Sequence, residues 1–172
     1  VDISVCNHSS DNRKKAHLLK ELVIKAFKPQ QKVVHEADPT PRIQEYHSPG
    51  LAYFAEIDQY IVKKRTQYQE MVLFQNRSMG KVLVLDDLFQ TSEKDEFFYH
   101  EAVIHPAMLT HENPRSVLIL GGGDLGAAEE VLKYPTVERV LQIDIDREVV
   151  ELCMQHLEKI HHNGHQDERL EI

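Results

Sequence analysis

The sequence has few cysteines and no long apolar run, and both shortages exclude classes of protein. Only two of the 172 residues are cysteine. Cys6 and Cys153 lie too far apart in the chain for a CxxC motif or a disulfide framework. No stretch approaches the roughly 18 consecutive apolar residues that a membrane span requires, and the first residues, VDISVCNHSS, do not resemble a signal peptide. We therefore expect a cytoplasmic protein with no membrane partner.

Positive charge is also in short supply. The chain has 20 Lys and Arg against 28 Asp and Glu, a formal net charge of −8, and no extended basic run. Surfaces that bind nucleic-acid phosphates are typically basic, so we expect no nucleic-acid partner. A cationic ligand suits this balance better, although acidic composition most often serves solubility.

The chain divides into three predicted segments. Residues 1–42 contain strand VDISV, a helical pattern from Asp11 to Phe27 and strand QKVVHEA, which together predict a β-α-β segment. The proline-rich stretch DPTPRIQEYHSPG marks a linker. Residues 43–96 hold four strand patterns, LAYFAEI, YIVKK, YQEMVLFQN and GKVLVLD, with a turn at Met79-Gly80 between the last two. They predict a small antiparallel β domain.

Residues 97–172 have an alternating strand and helix pattern. An apolar helix follows the Ser92 and Asp95 start signal, and Pro106 should kink or shorten it. Strand SVLIL, a glycine turn, a helix near 127–133, strand RVLQI, a helix near 147–159 and the strand-like RLEI come next. This order predicts parallel βαβ units, and therefore a truncated Rossmann-like nucleotide domain in an α/β protein. Since the chain lacks an initial Met and stops as a strand opens, we expect a fragment.

The glycine turn GGGDLG is the strongest functional signal in this segment. Gly121, Gly122 and Gly123 permit positive φ and the close approach of a ligand to the backbone. Asp144 follows Gly121 by 23 residues and ends the next strand, where an acidic side chain accepts hydrogen bonds from ribose hydroxyls. An adenosine-type ligand is therefore expected.

Asp124 narrows the choice of ligand. The turn is not the pyrophosphate motif GxGxxG, and a carboxylate at Asp124 disfavours phosphate. It favours a ligand with a cationic tail, such as an S-adenosyl sulfonium that carries an amine. The alternative is that the glycines form only a tight turn and that Asp124 caps a helix.

Several ordered motifs resemble the polyamine aminopropyltransferases, which are the spermidine, spermine and thermospermine synthases. They are YQEMVLF, GKVLVLDDLFQTSEKDEFFYHEAVIHPAMLTHENPR, VLILGGGD and QIDID, and the resemblance covers roughly residues 51–172. Thermospermine synthases are the most similar, because spermidine synthases more often have Gln at the position of His100 and Glu at that of Asp144. The resemblance implies transfer of an aminopropyl group from decarboxylated S-adenosylmethionine to spermidine or putrescine. Methylthioadenosine is released, and neither a metal nor another cofactor is needed.

The same resemblance assigns roles to individual residues. Gln69 and Asp124 would face the donor, Asp124 near its ammonium group, and Asp144 would take the ribose hydroxyls. Tyr99 and His100 would stand where donor and acceptor meet. The alternatives are an ordinary strand residue for Gln69 and packed or solvated helix residues for Tyr99 and His100.

Two residues depart from the family pattern. Leu125 replaces a small residue in the glycine turn, and Glu130 stands where Arg is frequent. We expect Leu125 to limit how near a ligand can come. The resemblance further implies a homodimer, and an acidic loop beyond Ile172 that accepts the proton of the attacking amine, so we expect residues 1–172 alone to be inactive.

The first 42 residues resemble the C-terminal part of bacterial-type S-adenosylmethionine decarboxylases. Cys6 falls on the cysteine that donates a proton in that family, with Asn7 in place of the usual Gly. The alternative for Cys6 is a small buried hydrophobe. The four histidines between positions 156 and 165 lack metal-ligand spacing, so we expect a solvated helix end there.

Two other functions stay open at this point. A methyltransferase that uses S-adenosylmethionine has the same half domain and glycine turn, but the β segment that ends in DEFFYHE is not expected there. Alternatively, the chain is an inactive relic with a role in dimerisation or regulation, as Leu125 suggests.

Overall fold

A computed structural model of the chain describes residues 40–172. These residues form one compact unit. Residues 1–39, which include Cys6 and most of the predicted β-α-β segment, lie outside the described residues. No helix among residues 40–172 is long and apolar enough to cross a membrane.

The first part of the described chain is made of antiparallel strands. A hairpin is formed by β1 (Arg42–Ser48) and β2 (Leu51–Glu56). A four-stranded sheet in sequential order follows, with β3 (Gln59–Arg65), β4 (Glu70–Asn76), β5 (Gly80–Leu85) and β6 (Leu88–Ser92). The antiparallel strands predicted for this segment are therefore present, but the linker predicted at residues 38–50 is wrong for Arg42–Ser48, which pair with β2 as strand β1. The tight turn occupies residues 77–79, one position before the predicted Met79-Gly80 pair, and Gly80 already belongs to β5.

Both faces of this sheet are covered, which explains why MVLF and VLVL are continuous apolar runs rather than alternating ones. Phe74, Val82 and Val84 pack with Ile57 on one face. On the other face, three buried side chains of the sheet contact the helices that follow β8. They are Met71, Leu73 and Leu83.

The second part alternates helices with parallel strands, and the predicted α/β, Rossmann-like fold is confirmed. Its elements are α1 (Glu96–Thr110), β7 (Ser116–Leu120), α2 (Gly126–Leu132), β8 (Arg139–Ile143), α3 (Arg147–His156), α4 (Glu158–His161) and β9 (Leu170–Glu171). The sheet order is β7-β8-β9, and both strand pairs are parallel.

The shortening expected at Pro106 does not occur, and one predicted helix is divided in two. Pro106 lies inside α1 without ending it, and the Thr110 hydroxyl donates to the Pro106 carbonyl 2.6 Å away. The single helix predicted near 147–159 divides at Leu157, which closes α3 and precedes α4.

The helices connect the two parts of the described chain. Met108 of α1 and Val131 of α2 pack with Ile119 and Val140 of the parallel sheet. Cys153 of α3, by contrast, packs with Met71, Leu73 and Leu83 of the antiparallel sheet. Burial raises the pKa of the Cys153 thiol far above its usual range, so this cysteine is a core residue.

Candidate functional site

A cavity of about 590 Å³ lies at the carboxyl ends of β7 and β8, between the parallel strands, α1 and the antiparallel sheet. Ligands of open α/β sheets bind at this edge. Seven of the residues that the sequence singled out line it: Gln69, Tyr99, His100, Gly122, Gly123, Asp124 and Asp144. The fold thus gathers residues from positions 69 to 144 around one space.

The three glycines meet three different structural needs. Gly121 and Gly122 have φ of +85° and +78°, which favour glycine. The Gly121 N–H donates to the Ile143 carbonyl at 2.8 Å and so continues the pairing of β7 with β8. Gly123 has little space for a side chain, because a Cβ there would lie 3.1 Å from Asp144 Oδ2. The backbone of the turn therefore runs directly against the Asp144 carboxylate.

Asp124 takes part in the turn and also lines the cavity. One oxygen, Oδ1, accepts a hydrogen bond from the Gly126 N–H at 3.2 Å, at the start of α2. The other oxygen, Oδ2, lies 3.4 Å from His100 Nε2. The side chain also lines the cavity, so its part in the turn leaves it available to a ligand.

His100 is buried between two carboxylates. Its Nδ1 lies 2.7 Å from Glu96 Oε2, and its Nε2 faces Asp124. Burial lowers the pKa of His100, but the hydrogen bonds and charges of Asp124 and Glu96 outweigh it and raise the pKa to about 9. The imidazole is therefore a cation at neutral pH, and the three side chains together carry one negative charge.

Gly126 makes room for this arrangement. A Cβ at Gly126 would overlap the His100 ring, so only glycine lets α2 approach α1 this closely. Sequence reasoning missed both Gly126 and Glu96. The signal for Glu96 was its position four residues before His100, which places the two side chains on one helix face.

A second buried hydrogen-bond network connects Gln69 with Asp144 through Asp146. Asp146 is 1% exposed. Its Oδ2 accepts hydrogen bonds from the Thr66 hydroxyl at 2.6 Å and from Gln69 Nε2 at 2.9 Å. Its backbone N–H donates to Asp144 Oδ1 at 2.8 Å. Burial raises the pKa of Asp146, but the hydrogen bonds from Thr66, Gln69 and backbone N–H groups outweigh it and hold the pKa below its usual range.

Tyr99 lies at the rim of the cavity. Its side chain is 65% exposed, and its ring meets His100 edge-on with 5.4 Å between centroids. Tyr99 also lines a second cavity of about 600 Å³, which is bordered by the hairpin and the start of α1. Tyr99 therefore borders both cavities.

The two departures from the family pattern lie outside the cavity wall. Leu125 adopts φ of +69° and is 1% exposed, so its side chain is turned into the protein and does not obstruct the cavity. The expectation that it limits ligand approach was wrong, because the left-handed backbone directs the side chain inward. Glu130 is buried beside Lys133, with Oε1 2.7 Å from Nζ.

The four histidines between positions 156 and 165 differ in their surroundings. No group of three or more potential metal ligands is found among residues 40–172. The expected solvated helix end is wrong for His161, which is fully buried. Its Nε2 lies 3.1 Å from the Met154 carbonyl, and its Nδ1 accepts from the Asn163 N–H at 3.0 Å. Burial, followed by the nearby His165, lowers its pKa.

Comparison with known proteins agrees with this geometry. A family model described as spermine/spermidine synthase domain matches residues 96–172, and one described as spermidine synthase tetramerisation domain matches residues 43–93. Polyamine aminopropyltransferases from Clostridium tetani and Aeropyrum pernix are each 44% identical, over 117 and 128 residues. These alignments cover 68% and 74% of this chain. The chain belongs to the spermine/spermidine synthase family.

Solved structures of spermidine synthases support the assignment. The enzyme from Thermotoga maritima matches with a TM-score of 0.74 and 36% identity, over 77% of this chain and 46% of that one. A spermidine synthase in complex with the transition-state analogue AdoDATO matches equally well, over 45% of its chain. The family resemblance read from the sequence is thus confirmed, as is the fold that it implied.

The matched region is only part of the relatives. The chain spans 42% and 41% of the length of the Clostridium and Aeropyrum enzymes. The thermospermine preference and the decarboxylase-like segment with Cys6 stay predictions.

Proposed function

We propose that the full-length protein transfers an aminopropyl group from decarboxylated S-adenosylmethionine to a polyamine, releasing methylthioadenosine. The observation that carries this proposal is the arrangement of Asp144, Gly123 and Asp124 along one cavity wall. Asp144 suits the ribose hydroxyls of the donor. Asp124, on the other side of the glycine backbone, suits the ammonium end of its aminopropyl chain.

The bond changes follow from the chemistry of the donor. The amine nitrogen of the acceptor attacks the carbon of the aminopropyl chain that is bonded to the sulfonium sulfur, so the new C–N bond forms as that C–S bond breaks. The sulfur leaves with the bonding electrons as the neutral thioether of methylthioadenosine. The sulfonium is itself a good leaving group, so no metal or other cofactor is required.

The described residues serve mainly to position the two substrates. Alignment of the nucleophile with the C–S bond is a large source of rate enhancement in such a transfer. The buried, charged cluster of Glu96, His100 and Asp124 provides a fixed negative site for a cationic substrate. We place the acceptor of the amine proton in the part of the family's length that this chain does not span.

The acceptor is proposed from two residues. His100 and Asp144 match the thermospermine synthases better than the spermidine synthases, so we propose spermidine as the acceptor, with putrescine as the alternative. We propose that the acceptor uses the second cavity, which Tyr99 also lines.

Self-association and location complete the proposal. The match of residues 43–93 to a tetramerisation domain supports an oligomer, and we propose a homodimer as its smallest unit. Light scattering coupled to size-exclusion chromatography of the full-length protein will give the subunit number. We also propose a cytoplasmic location, which fractionation of the source cells will test.

The direct test is product formation. The full-length protein is mixed with decarboxylated S-adenosylmethionine and either spermidine or putrescine, and released methylthioadenosine and the new polyamine are separated by chromatography. We expect methylthioadenosine in amounts equal to the new polyamine, and a large loss of turnover in Asp124→Asn. Absence of release with every polyamine would refute the proposal. Methyl transfer from S-adenosylmethionine would support a methyltransferase instead.

A protein that has lost catalysis can be recognised by its ligand binding. Calorimetry with methylthioadenosine shows whether the nucleoside site binds its ligand. Binding without turnover in the full-length protein would identify a binding module that has lost catalysis.

A further inference from the structure

We propose that Asp146 is a positioning residue that holds Gln69 and Asp144 in the arrangement that the nucleoside part of the donor requires. The inference rests on the proposed function, because it concerns the same cavity. Asp146 does not line that cavity. Its carboxylate is buried behind two residues that do.

The two residues come from different sheets. Gln69 lies in the loop between β3 and β4 of the antiparallel sheet, and Asp144 follows β8 of the parallel sheet. Asp146 reaches the first through its side chain and the second through its backbone N–H. It also begins α3, since its side chain accepts from the Val149 N–H at 3.4 Å. One residue therefore fixes the distance between two walls of the site.

The Asp146 side chain is the acceptor in all of its hydrogen bonds, and this favours a carboxylate at this position. The Thr66 oxygen accepts from the N–H groups of Tyr68 and Gln69, both at 3.1 Å. Its proton has two acceptors within reach, Asp146 Oδ2 at 2.6 Å and the Gln69 carbonyl at 3.1 Å, and Asp146 is the nearer. The Gln69 amide and the Val149 N–H are donors as well. Both oxygens of Asp146 thus face donors only, and an Asn would turn its NH₂ group toward at least one of them.

The contact also sets which end of the Gln69 amide faces the ligand. Gln69 Nε2 donates its hydrogen bond to Asp146, and no further hydrogen bond of the Gln69 side chain is found among residues 40–172. The carbonyl Oε1 is then the group presented to the cavity, which Gln69 lines. Gln69 would therefore accept a hydrogen bond from a hydroxyl or amino group of the nucleoside, as Asp144 does from the opposite wall.

The test is a double-mutant cycle on methylthioadenosine binding to the full-length protein. We compare the wild type with Asp146→Asn, Gln69→Ala and the double variant by calorimetry. We expect Asp146→Asn to weaken binding about tenfold, the loss that corresponds to roughly 1.4 kcal/mol. In the Gln69→Ala background the same substitution should weaken binding at most about threefold, because part of its effect passes through Gln69. Equal losses in both backgrounds would overturn the inference.

A milder pair of variants controls for misfolding. Thr66→Val removes the hydroxyl donor with little change in volume, whereas Thr66→Ser retains it. We expect binding to be weaker in Thr66→Val than in Thr66→Ser by about threefold, because valine loses the hydrogen bond to Asp146 together with those accepted from the Tyr68 and Gln69 N–H groups. Should Asp146→Asn fail to fold, this pair decides the question, and equal affinities would contradict the proposal.

A spectroscopic readout separates this inference from the proposed function. The side-chain amide resonances of Gln69 in ¹⁵N-labelled protein report its hydrogen bond to Asp146 without any ligand. We expect both amide protons to shift in Asp146→Asn and in Thr66→Val. If the wild type does not bind methylthioadenosine, the proposed function fails, and these resonances still test whether Asp146 orients Gln69. Unchanged resonances in both variants would overturn the inference.

Discussion

His100 Nδ1 lies 2.7 Å from Glu96 Oε2, one helical turn earlier on α1. The opposite ring nitrogen faces Asp124 at 3.4 Å, so the imidazole bridges the helix and the glycine turn. A buried cation between two anions makes the local structure sensitive to pH. It also makes the position of Asp124 dependent on a residue 24 positions earlier in the chain.

The first prediction concerns the charge of His100. Its pKa is raised from 6.5 to about 9 in the folded protein. The stabilisation is therefore fully present below pH 6.5 and is lost as the pH rises through 9. The shift corresponds to roughly 3 kcal/mol in the free energy of unfolding. Denaturant titrations of the wild type and of His100→Gln between pH 6 and 10 will check it, and parallel pH profiles would contradict it.

The second prediction concerns the space at Gly126. Gly126→Ala should strongly destabilise the protein, because the new Cβ overlaps the His100 ring. Gly164→Ala is the matched control, since a Cβ there meets only ordinary contacts from 3.5 Å outward. Thermal unfolding should show a much lower midpoint for the first variant alone.

The same clash can be relieved by a second substitution. In a His100→Ala background the ring is absent, so adding Gly126→Ala should cost little further stability. Additive losses in the double variant would show that Gly126 is needed for another reason.

The third prediction concerns ligand binding by Asp144. Asp144→Ala should weaken methylthioadenosine binding by about 1 to 3 kcal/mol, the range for hydrogen bonds to a charged group. The carboxylate lies against Gly123 at the cavity wall. Glu151→Ala removes a carboxylate of α3 that is not part of this cavity, and calorimetry should find its affinity unchanged. Equal affinities of all three proteins would assign Asp144 a purely structural role.

The fourth prediction concerns residues 1–172 by themselves. We expect this chain to release no methylthioadenosine from decarboxylated S-adenosylmethionine with either acceptor, even if it folds. The proton acceptor is proposed to lie in the part of the family's length that this chain does not span, and general-base assistance typically contributes about 10² to 10⁴ in rate. Loss of substrate alignment would lower the rate further. Turnover near that of the full-length protein would mean that the residues described above include the proton acceptor.

Sequence patterns were sufficient for most of the strands and helices and for part of the cavity wall. Alternating βα patterns predict parallel strands, and the carboxyl ends of adjacent parallel strands meet at one edge. Gly122, Gly123, Asp124 and Asp144 follow β7 and β8 directly, so local order along the chain already placed them together. The family motifs added Gln69, Tyr99 and His100, which no local rule connects to the glycine turn.

What the sequence determined by itself is therefore the order of strands and helices and the set of side chains that end at one sheet edge, because these depend on periodicity and on neighbours in the chain. Tertiary structure alone decided how those side chains are held. The contact of His100 with Gly126 joins positions 26 residues apart, and the hydrogen bond from Thr66 to Asp146 joins positions 80 residues apart. The inward direction of the Leu125 side chain depends on one φ angle. Such contacts depend on how separate elements pack in space, and periodicity along the chain carries no information about that packing.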